Sequence, residues 1–220
     1  MRNWRLAVIV GGLALAGLVG ITLTPAAAQT PKYGGTLNLP QRGDPAQGFA
    51  IHETGTIDVV WPGSPCFNNL VVFDPLKKQE SVDTIIGDLA EKWSWQDNYR
   101  NLVFFLRKGV KWHDGQPFTS KDVKYTFDMI REAPDAQAKL RINPRKAWYA
   151  NVEAIEAPDP LTVVFRLKRP QPSLLAMLAS GYSPVYAAHV PAANYRSGCI
   201  GTGPFKFKEW RKGEYLDFVK

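Results

Sequence analysis

Residues 102–130 limit the fold more than any other stretch of the chain. Leu102-Val103-Phe104-Phe105-Leu106 is an unbroken apolar run of aromatic and branched residues, the pattern of a strong β segment. Lys108-Gly109 turns it. Thr119 or Ser120 then stands where a helix cap belongs, and Asp122 supplies negative charge in the first turn. Val123, Phe127 and Ile130 recur at i, i+4 and i+7, which makes one apolar face. Pro134 ends that helix. Strand and one-faced helix therefore follow each other directly.

The flanking sequence continues the mixture. Thr36-Leu37-Asn38-Leu39 alternates as a short strand, and residues 40–65, broken by four prolines, read as loop with room for a short helix. Phe67–Phe73 is apolar and stops at Asp74-Pro75. Asp88–Trp95 leads into a polar turn at Gln96–Asn101. Beyond Gly109, Val110 and Trp112 alternate with Lys111 and His113, which predicts a hairpin or meander with aromatic cross-strand contacts. Residues 135–147 have room for a second short helix with a basic face. Val152–Ile155 and Leu161–Leu167 are strand candidates around the turn Ala157-Pro158-Asp159-Pro160. Pro172-Ser173 caps a short helix over Leu174–Ala179, closed by Gly181, and Phe205-Lys206-Phe207 alternates as a strand. Neither an internal repeat nor a low-complexity tract is visible.

The first 28 residues stand apart. Arg2 and Arg5 precede the uncharged stretch Leu6–Leu23, and Ala26-Ala27-Ala28-Gln29 follows Pro25. A positive start, an apolar core and an A-x-A site read as a cleavable secretory signal peptide. An uncleaved anchor is the alternative, since the run could nearly span a bilayer. The chain of 220 residues carries 27 Lys and Arg against 20 Asp and Glu. Its densest basic run, Lys139, Arg141, Arg145 and Lys146 beside Trp148 and Tyr149, reads as a solvated loop or helix face. An exported chain rarely meets nucleic acid, and none is expected as a partner.

Catalytic signals are sparse. His52, His113 and His189 lie apart from one another and from cysteine at any ligand spacing, which points to surface or loop histidines and no metal site. His113-Asp114-Gly115 is a tight turn in which Gly115 can take a positive φ. Gly201-Thr202-Gly203 lacks the later glycine and helix of a dinucleotide loop, and Ser64 lies outside any nucleophile elbow. Trp93, Trp95, Trp112, Trp148 and Trp210 read as core and sheet packing. Trp61 falls in the irregular early segment and is a candidate cleft residue.

One long stretch carries a resemblance. Leu89-Ala90-Glu91-Lys92-Trp93, followed by Phe105-Leu106-Arg107-Lys108-Gly109-Val110-Lys111-Trp112-His113-Asp114-Gly115-Gln116-Pro117-Phe118-Thr119-Ser120-Lys121-Asp122-Val123, resembles the signature region of the family 5 extracytoplasmic solute-binding proteins. These are the dipeptide- and oligopeptide-binding components of ABC importers. Gly34-Gly35-Thr36-Leu37, Asn69-Leu70-Val71-Val72-Phe73-Asp74 and Gly201-Thr202-Gly203-Pro204-Phe205-Lys206-Phe207 match in the same order.

The resemblance implies an α/β protein of the type II periplasmic-binding-protein kind, two-lobed with an inserted α+β domain. By that analogy residues 1–28 are the signal, 29–71 and 199–220 belong to the main lobe, and 72–198 form the inserted domain. Family members run to about twice this length, past one domain's usual size, so the chain reads as truncated before the second lobe. The implied function is binding of peptides or a similar small solute in the periplasm and delivery to ABC permease subunits in the inner membrane. A monomer without cofactor is expected. An exported sensing or chaperone-like binding module, or an exported enzyme, is the alternative. Asp44 and Trp61 lie in the segment that borders the cleft in relatives and are the candidate ligand-binding residues. Cys66 and Cys199, the only cysteines, sit where the chain would leave and re-enter the main lobe. An oxidising compartment would join them in a disulfide, with two buried free thiols as the alternative.

Overall fold

The computed structural model describes residues 34–220, which fall into two compact units, residues 34–39 and residues 40–220. The signal-peptide reading lies outside the described residues. The strand expected over Thr36–Leu39 is not formed; four alternating residues are too few to make a strand without a ladder partner.

The larger unit is built on a four-stranded antiparallel sheet. Its strands are β3 (Ala90–Gln96), β4 (Asn101–Leu106), β5 (Val152–Asp159) and β6 (Thr162–Leu167), in the order β3-β4-β6-β5. The apolar run of residues 102–106 is β4, a central strand flanked by β3 and β6, which explains why it lacks a polar alternate face. Asp97, Asn98 and Tyr99 turn β3 into β4 with φ of 48°, 49° and 63°. Asp and Asn tolerate this left-handed geometry better than most side chains.

Helix α2 (Ser120–Arg131) packs across β5 and β6. Its start is the capping box that Thr119 and Asp122 announce: each side chain engages the other residue's backbone, with Thr119 N–H donating to Asp122 Oδ2 at 2.8 Å. Phe127 meets Phe165 on β6 with ring centroids 5.3 Å apart, and Phe165 meets Phe104 on β4 at 5.8 Å. The layer is thus closed by edge-on aromatic contacts across three elements.

Two smaller pairs complete the strands. β1 (Val71–Phe73) pairs with β2 (Ile85–Gly87), and β7 (Lys206–Arg211) pairs with β8 (Tyr215–Val219). Two short helices, α1 (Ile57–Gly63) and α3 (Leu174–Ala179), lie outside the main sheet. At the start of α3, Ser173 makes no side-chain capping bond, and the helix closes at Ser180 rather than at Gly181.

Two further local expectations are corrected. Val110–His113 is not a hairpin strand; a single bridge joins Lys111 to Pro117 around a tight loop in which Gly115 has φ 88°. Trp112 nevertheless packs edge-on against Phe118, so the aromatic contact survives without the ladder. Residues 135–147 form no α-helix, only a 3-10 turn at Lys146–Tyr149, because the segment is pinned from both sides by tertiary bonds. Asn143 donates to Ile130 O at 2.7 Å, and Glu53 accepts from Arg141 N–H at 2.7 Å.

Candidate functional site

The first half of the larger unit presents an open concavity of about 320 Å³, lined by Pro40, Gln41, Arg42, Ile57, Asp58 and Trp61. Helix α1 makes one of its walls. Val59, Val60, Pro62 and Gly63 turn inward, which leaves Ile57, Asp58 and Trp61 outward. Ile57 and Trp61 are one turn apart and share a face. Trp61 is 55% exposed, a large apolar surface left open to solvent. Gln41 Nε2 donates to Asp58 O at 3.1 Å and ties the opposite wall to the helix. The lining therefore combines an aromatic ring, an aliphatic side chain, a cation and a carboxylate. Such a set suits a small zwitterionic or amide-bearing ligand.

Of the two candidate ligand residues, only Trp61 lines this concavity. Asp44 serves the β7–β8 hairpin instead: Oδ1 accepts from Trp210 Nε1 at 3.1 Å and Oδ2 from Gly213 N–H at 2.7 Å. Both carboxylate oxygens are thus engaged by the hairpin. Arg42, Ile57 and Asp58 were missed by sequence reasoning. The spacing of Ile57 and Trp61 carried a signal, since two large apolar residues at i and i+4 on a proline-marked segment share one helical face.

A second concavity of about 350 Å³ lies between β1 and α3, lined in part by Asn69, Phe73, Glu80 and Tyr182. Asn69 is held by its Nδ2, which donates to Ser180 O at 2.7 Å. Its backbone N–H donates to Asp88 Oδ2 at 2.9 Å. Burial raises the Asp88 pKa, against the hydrogen bonds from Asn69 and Asn68.

Behind α1 the chain is held by buried polar groups. His52 is fully buried, contrary to the reading of the histidines as surface or loop residues. Its Nε2 faces Pro184 O at 2.8 Å, and its ring packs on Tyr186 at 4.5 Å. Burial, helped by the charge of Arg145, lowers its pKa to about 3, so it is neutral at physiological pH. Within the basic run Lys139, Arg141 and Lys146 are exposed as expected, but Arg145 is only 3% exposed, which corrects the solvated-face reading at that one residue. It donates to the carbonyls of Ile51 and Thr54 and lies over the Tyr182 ring at 4.9 Å. Beside it, buried Glu53 takes a two-pronged ion pair from Arg196, at 2.6 and 2.8 Å. Burial alone would raise the Glu53 pKa; the Arg196 bonds, the Arg141 N–H and both charges outweigh it and hold it low.

Cys66 and Cys199 are joined, with Cα atoms 6.6 Å apart across 133 residues of sequence. The loop 201–203 lies directly on Cys66. Gly203 N–H donates to Cys66 O at 2.8 Å, and a Cβ on Gly201 would stand 1.8 Å from that same oxygen. Only glycine fits there. Among the described residues, no group of three His, Cys, Asp or Glu side chains is placed to hold a metal, and no helix is long and apolar enough to cross a membrane.

Residues 84–220 match the model of the bacterial extracellular solute-binding proteins, family 5, middle region. The chain belongs to family 5. The match takes in the four-stranded sheet, α2 and the closing hairpin, so the mixed α/β body described above is the family's fold. Over 161 residues the family 5 chain is 36% identical to a Brucella ovis protein named, provisionally, as a peptide-binding protein of an ABC transporter. That alignment covers 70% of this chain and 28% of the relative. Identity to the dipeptide-binding protein of Escherichia coli is 28% over 97% of this chain and 42% of the relative. Among solved structures, a binding protein in complex with agropinic acid from Agrobacterium tumefaciens R10 superposes with a TM-score of 0.63 at 27% identity. It is matched over 81% of this chain and 34% of its own. The family 5 chain thus spans less than half the length of these relatives.

Proposed function

We propose that this chain is the N-terminal part of a periplasmic solute-binding protein that delivers peptides or a similar small solute to an ABC transporter for import. The family match across residues 84–220 carries the reading. Peptide is favoured because the curated relatives bear peptide-binding names, and the exposed Trp61 wall flanked by Arg42 and Asp58 suits a peptide's ring, backbone and charged ends. Binding works by hinge closure of two lobes, which requires the solute to bind the closed form more tightly than the open one. Residues 29–71 and 199–220 are assigned to one lobe and 72–198 to the inserted domain. The Cys66–Cys199 link at the two crossings supports that division. The protein acts as a monomer without catalysis and hands its load to permease subunits in the inner membrane. It reaches the periplasm by cleavage between Ala28 and Gln29.

Deleting the gene from the source bacterium should abolish uptake of a labelled di- or tripeptide, and supplying the gene in trans should restore it. Uptake unchanged by deletion overturns the function. By itself the 220-residue chain should bind di- to pentapeptides only weakly in calorimetric titration, because a one-sided concavity cannot close on its ligand. Micromolar affinity would overturn the lobe assignment. N-terminal sequencing of the periplasmic protein should read Gln29 first.

A further inference from the structure

The concavity of about 350 Å³ between β1 and α3 shares no residue with the α1 groove, and its hydrogen-bond balance is one-sided. Its side-chain donors are spent. Asn69 Nδ2 donates to Ser180 O at 2.7 Å and reaches Leu178 O at 3.4 Å. A carbonyl can only accept, so these contacts fix which end of the amide is nitrogen. Ser180 Oγ donates to Met177 O at 2.8 Å. The acceptors are open. Asn69 is only 6% exposed, and its Oδ1 takes no hydrogen bond among the described residues. Glu80 is exposed, and among the described residues its carboxylate has neither an ion pair nor a hydrogen bond. It is the one charged residue of the lining; Lys77 and Lys78 on the same loop are not part of it. Arg145 lies over the Tyr182 ring at 4.9 Å, but it donates to the carbonyls of Ile51 and Thr54. Val72, Phe73 and the Tyr182 ring make the apolar part.

We propose that this concavity is a second binding site, for a small alkylammonium cation whose N–H donors meet Asn69 Oδ1 and the Glu80 carboxylate and whose alkyl part lies on Val72 and Phe73. An amide oxygen held in a nearly buried side chain without a donor costs free energy that a donating ligand recovers. An anion would face a carboxylate and find both side-chain donors taken. A neutral alcohol brings one proton to two acceptors and leaves the carboxylate without a counter-charge. An ammonium brings three donors and the opposite charge, and the Phe73 ring adds its own attraction for a cation. The α1 groove differs, because Arg42 and Asp58 supply both signs of charge there. The two concavities therefore select different classes of ligand, and the amine site does not depend on what the α1 groove carries.

The test titrates the isotope-labelled full chain, in its disulfide form, with n-pentylammonium chloride at constant chloride and follows the amide resonances by NMR. Pentan-1-ol and sodium pentanoate are the uncharged and anionic probes of equal length. The ammonium should give saturable shifts clustered at Asn69, Phe73, Glu80 and Gly181. The alcohol and the carboxylate should each bind at least about tenfold more weakly, the worth of a charge-assisted bond. Glu80→Gln changes an exposed side chain without partners, so it should melt as wild type does and bind the ammonium at least about tenfold more weakly. If its melt differs, the three wild-type titrations decide alone. A smaller difference between the ammonium and the alcohol overturns the proposal, because the concavity is then merely apolar. Shifts that scatter over exposed carboxylates without saturating overturn it as an adventitious counter-ion only. Shifts confined to Arg42, Asp58 and Trp61 overturn it by placing the ammonium in the α1 groove, and so does the absence of any saturable shift.

Discussion

Phe165 and Arg145 are both buried, and different forces keep them there. Phe165 sits between Phe104 and Phe127 in the layer of β4, β6 and α2. Its contacts are apolar and come from elements whose periodicity places them. Arg145 belongs to the irregular side, where its guanidinium satisfies the carbonyls of Ile51 and Thr54 and leans on Tyr182. Burial there depends on a few directional bonds between segments far apart in sequence. The layer should tolerate apolar exchange, while the irregular side should fail when one polar partner is lost.

The largest effect should come where backbone meets backbone. Gly201→Ala drives a methyl into Cys66 O and cannot be relieved by a side-chain move. It should cost at least about 4 kcal/mol in a chemical melt, the range of severe single substitutions. A loss under 1 kcal/mol would mean the loop is held less tightly than the geometry indicates. Arg145→Met comes next. It leaves the buried Thr54 carbonyl without a donor and the Ile51 carbonyl with only Thr54 N–H, at about 1–3 kcal/mol per lost partner, so a loss of about 3 kcal/mol is expected. Phe165→Leu, a comparable change of volume in the layer, should cost only about 1 kcal/mol. Equal losses for Arg145 and Phe165 would erase the contrast.

Legibility follows the same division. The capping box at Thr119 and Asp122, the apolar face of α2 and the run that becomes β4 are local patterns, and each was readable residue by residue. Arg145 was not, because its partners lie 91 and 94 residues away and nothing near it in sequence marks it as buried. Asp44 was placed in the right segment, but its carboxylate is taken by a hairpin turn 169 residues on, a pairing that no periodicity reports. The groove was half legible: Trp61 stood out as an aromatic without a core role, whereas Arg42 and Asp58 became visible only when α1 and the preceding loop were set side by side.

Acid should sharpen the comparison further. The folded-state pKa of His52 is depressed to about 3, against 6.5 for an ordinary histidine. Its contribution is complete above about pH 6.5 and is lost as pH falls toward 3, because the unfolded chain binds the proton first. Glu53, also held low, works in the same direction below the usual carboxylate pKa. Stability should therefore fall by about 2 kcal/mol between pH 7 and pH 5, most of it from His52. His52→Gln should flatten that slope in melts across the pH range. A slope unchanged by the substitution would move the acid sensitivity elsewhere. The smallest effect is expected at Trp61→Ala, within about 0.5 kcal/mol, since the ring already faces water.

The Cys66–Cys199 link also decides how the molecule would carry a pulling force. With handles at Pro40 and Lys220, tension reaches Cys66, crosses the sulfur bridge to Cys199 and continues to the closing hairpin. The 133-residue span between the bridged positions is bypassed. That span could extend by roughly 460 Å at about 3.5 Å per residue if the bridge were open. The four-stranded sheet and α2 therefore sit off the line of load, and a stretched molecule would lengthen only by its outer segments until a reductant cut the bridge.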